Sequence, residues 1–205
     1  MTAQEQKSTY TFEEYLELEK NTGERWEYYF GEVFAMAGGS KRHNRLVGKM
    51  RRILEDKTEP KNCQVFSENI KLELSSGKQY VYPDVMLTCH PQDLEDETES
   101  IIRHPSIVVE VLSETTEAYD QGGKKLAYFR LESLLYYVLV WQATTTVEVF
   151  EKQAGSRNDS SRNDSSRNDS SRSNSSWSYR NYSSKEEQIE FPLLDFSILV
   201  GDLYQ

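Results

Sequence analysis

The spacing of apolar and polar residues predicts three helices along the chain. A capping box from Thr11 to Glu14 opens a short helix that runs to about residue 20. Apolar residues at helical spacing predict an amphipathic helix over about residues 43–57. A third helix is expected over about residues 120–130. Helices in these positions, with strands between them, are typical of a layered α/β domain.

Alternating or continuous apolar runs predict the strands. They lie at residues 26–30 and 33–36, flanking Gly31-Glu32 as a hairpin, and at 70–74, 81–87, 107–112, 136–141, 147–152 and 177–182. Residues 107–112 are nearly all apolar and β-branched, so this strand should be central and covered on both faces. The order of elements predicts a central mixed β-sheet flanked by helices, in one domain over residues 1–205.

A low-complexity segment interrupts this pattern at residues 156–176. It repeats Ser-Arg-Asn-Asp-Ser three times, follows with Ser-Arg-Ser-Asn-Ser, and contains no apolar residue. Such a sequence cannot bury enough surface to offset the entropy lost on ordering. We therefore predict a disordered insert that hangs from the hairpin formed by strands 147–152 and 177–182.

Composition narrows the location and the class of partner. No apolar run approaches the length needed to span a bilayer, and the N-terminus lacks a signal-peptide pattern, so a cytoplasmic location is expected. Cys63 and Cys89 form no metal-type motif and are expected to be free thiols. The net charge of −10 disfavours binding of nucleic acid by overall charge, although a local basic surface remains open.

Three residues attract attention as candidates for chemistry. Glu110 interrupts an apolar strand, where a carboxylate must be paired, bind a metal or turn to solvent. Asp84 follows Pro83, which cannot donate to a sheet ladder, so it occupies either a cleft at a break in pairing or a plain turn. Lys124 could serve a site, or could simply pair with Asp120 one helical turn away.

Taken together, these residues resemble a known family. Residues 82–84 read Tyr-Pro-Asp, residues 109–113 read Val-Glu-Val-Leu-Ser, and Thr116, Asp120, Lys124 and Tyr128 follow at the spacing of one helix. The pattern resembles the PD-(D/E)XK nuclease superfamily, and within it the bacterial Uma-two-type endonucleases. Glu27 and Gly31 near the first hairpin, His43 and the terminal Asp202-Leu203-Tyr204 extend the likeness over nearly the whole chain except the insert.

The resemblance implies a restriction-endonuclease-like fold and a divalent-metal-dependent nuclease acting on phosphodiester bonds, with DNA as the expected substrate. It implies that Asp84 and Glu110 hold Mg²⁺ or Mn²⁺, cations that prefer oxygen ligands. Leu112 occupies the position of the superfamily's usual Lys, so the resemblance assigns the amine to Lys124 instead. A non-catalytic module that keeps the fold and binds nucleic acid or protein is the alternative. Cleavage of both DNA strands would favour a homodimer.

Glu27, His43 and a group of basic residues are further candidates. Glu27 could add a ligand or orient water, or could be a strand residue facing solvent. His43 could contact phosphate or could be structural. A basic stripe on the second helix could follow a phosphate backbone, or could be a solvated helix face. Its members are Lys41, Arg42, Arg45, Lys49 and Arg52.

Overall fold

The computed structural model describes residues 9–36, 38–112, 123–153 and 176–205. The helices are α1 (Phe12–Thr22), α2 (Lys41–Thr58), α3 (Pro91–Leu94), α4 (Lys125–Tyr128) and α5 (Val200–Leu203). The strands are β1 (Trp26–Tyr29), β2 (Glu32–Ala35), β3 (Gln64–Ser67), β4 (Lys71–Ser75), β5 (Gln79–Val81), β6 (Val85–Thr88), β7 (Ile101–Ile102), β8 (Ile107–Leu112), β9 (Tyr136–Trp141), β10 (Val147–Lys152), β11 (Trp177–Tyr182), β12 (Gln188–Phe191) and β13 (Phe196–Leu199).

The strands form two large sheets and a small one. The order is β2-β1-β5-β4-β7 in the five-stranded sheet and β11-β10-β9-β8-β6-β3 in the six-stranded sheet, while β12 and β13 pair separately. Both large sheets are mixed, because β4 and β7 run parallel in one and β8 and β9 run parallel in the other. Strand β8 is central and buried along its whole length, as its sequence predicts.

The start of the chain follows its local signals. Thr11 accepts a hydrogen bond from the backbone of Glu14, and the Glu14 side chain accepts one from the backbone of Thr11, which completes the predicted capping box. The hairpin turns on Phe30 and Gly31, both at positive φ, rather than on Gly31-Glu32. A two-residue turn of this handedness matches the twist of the strands it joins.

The strand predicted at residues 81–87 is two strands in different sheets. β5 ends at Val81 in the five-stranded sheet, and β6 begins at Val85 in the six-stranded sheet. Pro83 lies between them and cannot donate a backbone hydrogen bond, so pairing breaks at this point. The break carries the chain from one sheet to the other and leaves Asp84 at the junction.

Helix boundaries also differ from prediction. α2 is longer than expected, because Ser40 caps it and His43 is its third residue rather than its first. The third helix is described only as the short α4, preceded by Gly123 and Lys124; the earlier part of that prediction lies outside the described residues. None of the helices within these ranges is long and apolar enough to cross a membrane.

Three apolar clusters hold the layers together. One joins α2 to a face of the six-stranded sheet and to the C-terminal strands, through residues such as Met50 and Val109. The second covers the opposite face and includes Val108, Leu112 and Tyr128. The third is a group of rings packed by α1 on the five-stranded sheet. Residues that alternate along β8 thus enter different clusters, which places Glu110 on the face shared by Val108 and Leu112.

The expectation of free thiols is wrong. Cys63 and Cys89 form a disulfide with an S–S distance of 2.00 Å. The two residues adjoin the Gln64–Thr88 pair of the antiparallel β3 and β6, so the register brings their Cα atoms to 4.1 Å. Sequence spacing does not reveal such a pairing, because it depends on strand register.

The strands on either side of the insert pair as predicted. β10 and β11 are antiparallel from the Val147–Tyr182 pair to the Lys152–Trp177 pair. The hairpin is therefore confirmed, while the predicted disorder of residues 156–176 concerns a segment that lies, apart from Ser176, outside the described residues.

Candidate active site

Asp84 is fixed at the junction between the two sheets. Pairing between β6 and β8 ends with Val85 opposite Val109. One residue further out, the Asp84 Oδ2 atom accepts a hydrogen bond of 2.7 Å from the backbone N–H of Val111. The carboxylate therefore takes the place of a strand partner, which holds it rigidly beside β8.

Glu110 lies opposite Asp84 on β8 and is only 3% exposed. Its Oε1 accepts a hydrogen bond of 2.6 Å from the Tyr128 hydroxyl and lies 3.4 Å from Lys124 Nζ. Its Oε2 lies 3.4 Å from the backbone nitrogen of Asp84. Glu110 is thus the buried, paired carboxylate that the apolar strand required, and it does not face solvent.

Lys124 is brought to the same place by the segment that leads into α4. Its ammonium lies 2.9 Å from Glu27 Oε1 and 3.4 Å from Glu110 Oε1, and its side chain is 8% exposed. The amine that the family resemblance assigned to Lys124 therefore lies beside the second acid. Asp120, the competing partner for Lys124, lies outside the described residues.

Glu27 and His43 also reach this group. Glu27 comes from β1 of the other sheet and is 7% exposed, so it does not face solvent. His43 Nε2 lies 3.1 Å from Asp84 Oδ2, with both side chains 18% exposed. Elements from two sheets and two helices thus converge on one partly buried site.

Comparison with known proteins assigns the chain to a family. The sequence model of the Uma2 family, described as "Putative restriction endonuclease", matches residues 12–175. The chain belongs to this family. The match includes Glu27, His43, Asp84, Glu110 and Lys124.

Two proteins of a cyanobacterium are similar to the chain in sequence. An uncharacterised protein of Synechocystis sp., slr1290, is 34% identical over 140 residues, covering 68% of this chain and 73% of its own length. A second one, sll1609, is 30% identical over 142 residues, covering 69% of this chain and 80% of its own length.

A solved structure confirms the fold. A crystal structure from Anabaena variabilis, described as a "putative nuclease belonging to DUF820", superimposes with a TM-score of 0.64. The likeness covers 95% of this chain and 97% of that one at 16% sequence identity, so it establishes the fold alone. The predicted α/β class, with mixed sheets flanked by helices, is confirmed.

Tyr128 is a site residue that the sequence argument placed only on the helix face of Lys124. It is fully buried, and its hydroxyl donates to Glu110. Burial raises the pKa of the Tyr128 hydroxyl well above its usual range, and the nearby Glu110 carboxylate raises it further. Tyr128 is therefore a neutral hydrogen-bond donor. Its spacing of four residues from Lys124 was the available signal.

A second residue outside the sequence argument is Glu19 on α1. Its Oε1 accepts a hydrogen bond of 2.6 Å from the Tyr82 hydroxyl, and its Oε2 lies 2.9 Å from Lys71 Nζ. Lys71 lies between Ile70 and Leu72, where alternation along a strand favours an exposed side chain, yet it is buried beside Glu19. The network anchors Tyr82, two residues before Asp84, and so helps to fix the junction.

The donor set fits a divalent cation held by few protein ligands. Among the described residues of the site, the carboxylates of Asp84, Glu110 and Glu27 outnumber the ammonium of Lys124, and carboxylate oxygens are the ligands that Mg²⁺ and Mn²⁺ prefer. In the described part of the chain, no three Asp, Glu, His or Cys side chains converge as a complete cage. A cation at Asp84 and Glu110 would therefore complete its shell with water and substrate oxygens, as Mg²⁺ commonly does.

Proposed function

We propose that this protein is a divalent-metal-dependent nuclease that hydrolyses phosphodiester bonds of DNA. The observation that carries the proposal is the convergence of Asp84, Glu110 and Lys124 at the junction of the two sheets. With a metal ion bound, two carboxylates and an ammonium are the protein groups that phosphodiester hydrolysis needs. Membership of the Uma2 family and the fold support the same reaction class.

In this proposal, Asp84 and Glu110 would hold Mg²⁺ or Mn²⁺. When bound, the ion supplies Lewis-acid polarisation of the phosphoryl group and lowers the pKa of water. The backbone N–H of Val111 and the His43 ring keep the Asp84 carboxylate in one orientation. Tyr128 does the same for Glu110, because its neutral hydroxyl donates to Oε1.

Lys124 has a separate role in the proposal. Its ammonium lies within ion-pair distance of Glu110 and Glu27, which keeps a positive charge beside these two carboxylates. That charge stabilises the negative charge that grows on the phosphate during attack. Glu27 holds the ammonium in place from the opposite sheet, which makes Glu27 a positioning residue.

A substrate panel tests the function. Purified protein is mixed with supercoiled DNA, linear duplex, single-stranded DNA and RNA, in Mg²⁺, in Mn²⁺ or in EDTA. We expect the protein to cleave DNA only when the metal is present. We expect Glu110→Gln to abolish this cleavage. Glu55→Gln, an exposed carboxylate on α2, is the matched control and should cleave as wild type does.

Other outcomes would redirect the proposal. Binding of DNA without cleavage in any metal would favour the non-catalytic module. Hydrolysis of a small phosphodiester without cleavage of nucleic acid would favour a different hydrolase.

The homodimer and the cytoplasmic location stay predictions. Sedimentation of the purified protein measures its oligomeric state.

A further inference from the structure

A basic pocket lies between the start of α2 and the C-terminal residues. It has a volume of about 440 Å³ and an open mouth. Its lining residues include Lys41, Arg42 and Arg45 from α2, and Leu203, Tyr204 and Gln205 from the end of the chain. The pocket gathers three cations in a protein whose net charge is −10.

Among the described residues, these cations differ from two arginines that are paired with carboxylates. Arg51 pairs with Glu55, and Arg103 pairs with Glu73 and Glu99. No carboxylate of the described ranges lies within ion-pair distance of the three pocket cations. Neighbouring like charges repel one another, so an anion in the pocket would relieve a cost that the folded chain leaves in place.

The wall opposite α2 is fixed in shape. The Tyr204 hydroxyl lies 2.9 Å from the backbone oxygen of Trp141 and 2.6 Å from that of Thr146, within hydrogen-bond distance of both. Lys49, one turn beyond Arg45, donates to the backbone oxygen of Gln205 at 2.6 Å. Cations that line a preformed cleft focus the electrostatic potential more strongly than the same cations on a flat face.

The pocket lies close to the candidate active site. His43, which contacts Asp84, stands between Arg42 and Arg45 on the same helix. Because His43 follows Arg42 directly in α2, the pocket and Asp84 lie at the same end of this helix. Successive phosphates of one strand advance by about 3.4 Å along the duplex axis. One bound strand could therefore reach both places within a few nucleotides.

We propose that this pocket binds one backbone phosphate of the DNA substrate, a few nucleotides from the bond that is cleaved at Asp84 and Glu110. The proposal rests on the proposed nuclease function for its choice of ligand. Arginine is suited to the role, because its planar guanidinium can donate two parallel hydrogen bonds to a phosphate. The pocket would place the strand, and the acids would act on it.

Binding without cleavage tests the pocket. The affinity of a fluorescein-labelled DNA duplex is measured by anisotropy in EDTA over a series of KCl concentrations. Arg42→Gln/Arg45→Gln should weaken binding about tenfold or more, and should reduce the slope of log K against log[KCl] by about one. Arg42→Lys/Arg45→Lys should retain much of the affinity, because it keeps the charge.

A double variant of the same helix serves as the matched control. Arg52→Gln/Lys57→Gln removes the same charge outside the pocket lining, and it should bind nearly as wild type does. An equal loss in this control would overturn the pocket in favour of a diffuse basic face. Unchanged binding by Arg42→Gln/Arg45→Gln would also overturn it. If Arg42→Gln/Arg45→Gln loses binding of inorganic phosphate but keeps binding of DNA, the pocket is a site for free phosphate. That result would overturn the proposal.

Failure of the pocket and failure of the nuclease function give different results. If the wild-type protein binds DNA through the pocket but cleaves nothing in Mn²⁺, the pocket stands and the nuclease function fails. If the wild-type protein cleaves DNA and the Arg42→Gln/Arg45→Gln variant binds as tightly as wild type, the nuclease function stands and the pocket fails.

Discussion

Replacing Lys124 with Ala should damage stability and activity by separable routes. The ammonium lies 2.9 Å from a Glu27 oxygen and 3.4 Å from a Glu110 oxygen, and the three side chains are 8%, 9% and 4% exposed. The substitution therefore leaves two buried carboxylates without the cation that neutralises them. Removing one partner of a buried ion pair commonly costs about 3 to 5 kcal/mol.

For a chain of this size, a loss of that magnitude lowers the melting temperature by about 10 °C. Adding Glu27→Gln to Lys124→Ala should recover part of the loss, because only one buried carboxylate then remains. It should not recover cleavage, which we expect to fall about a hundredfold or more in both variants. Stability and activity thus separate in the double variant.

Thermal denaturation and plasmid cleavage, measured on the same samples, provide the assay. Lys125→Ala is the control, since the Lys125 ammonium lies over the Phe150 ring at 3.9 Å, away from the acids. A cation–π contact of this kind is worth about 0.5 to 1 kcal/mol, and cleavage should persist. Full cleavage by Lys124→Ala would remove Lys124 from the mechanism. An unchanged melting temperature would refute the electrostatic account of the buried pair.

Three further predictions follow from the same structure. Tyr128→Phe should cost about 1.5 to 3 kcal/mol at neutral pH, because the bond to Glu110 is charge-assisted. Because the pKa of Tyr128 is raised in the folded protein, this contribution is present below about pH 10 and shrinks as the pH rises further. The free energies of unfolding of the two proteins, measured in urea, should therefore converge in alkali. A constant difference would contradict this prediction. Asp84→Asn should abolish Mn²⁺ binding in calorimetry with little change in melting temperature; equal affinity would exclude Asp84 as a ligand. Replacing residues 156–176 with a short Gly-Asn turn should change stability by less than about 1 kcal/mol, whereas loss of the folded state on deletion would show that the segment is ordered.

The sequence predicted local structure correctly where adjacent residues determine it. The capping box at Thr11 and the buried strand with Glu110 appear as predicted, because each depends on adjacent residues. Pro83 correctly marked a break in strand pairing. The sequence could not show that the chain changes sheets there, since that depends on partners distant in sequence.

The candidate site was predictable in its residues and not in its contacts. Asp84 and Glu110 stood out because their neighbours made them unusual. The partnership of Lys124 with Glu27 joins β1 to the segment before α4, and no local pattern encodes it. Lys71 alternates with apolar residues as an exposed strand residue does, yet Glu19 from α1 buries it. At Lys71, long-range pairing of charges overrode the local pattern.

The most direct test of the account is the rate of plasmid nicking as a function of Mn²⁺ concentration. Wild-type protein is compared with Asp84→Asn/Glu110→Gln, purified in the same way and shown to be folded. We expect the wild-type rate to rise with Mn²⁺, to saturate, and to fall to background in EDTA. The rate of the double variant should stay at background at every Mn²⁺ concentration. Equal, Mn²⁺-dependent nicking by both proteins would contradict the assignment of the active site to Asp84 and Glu110.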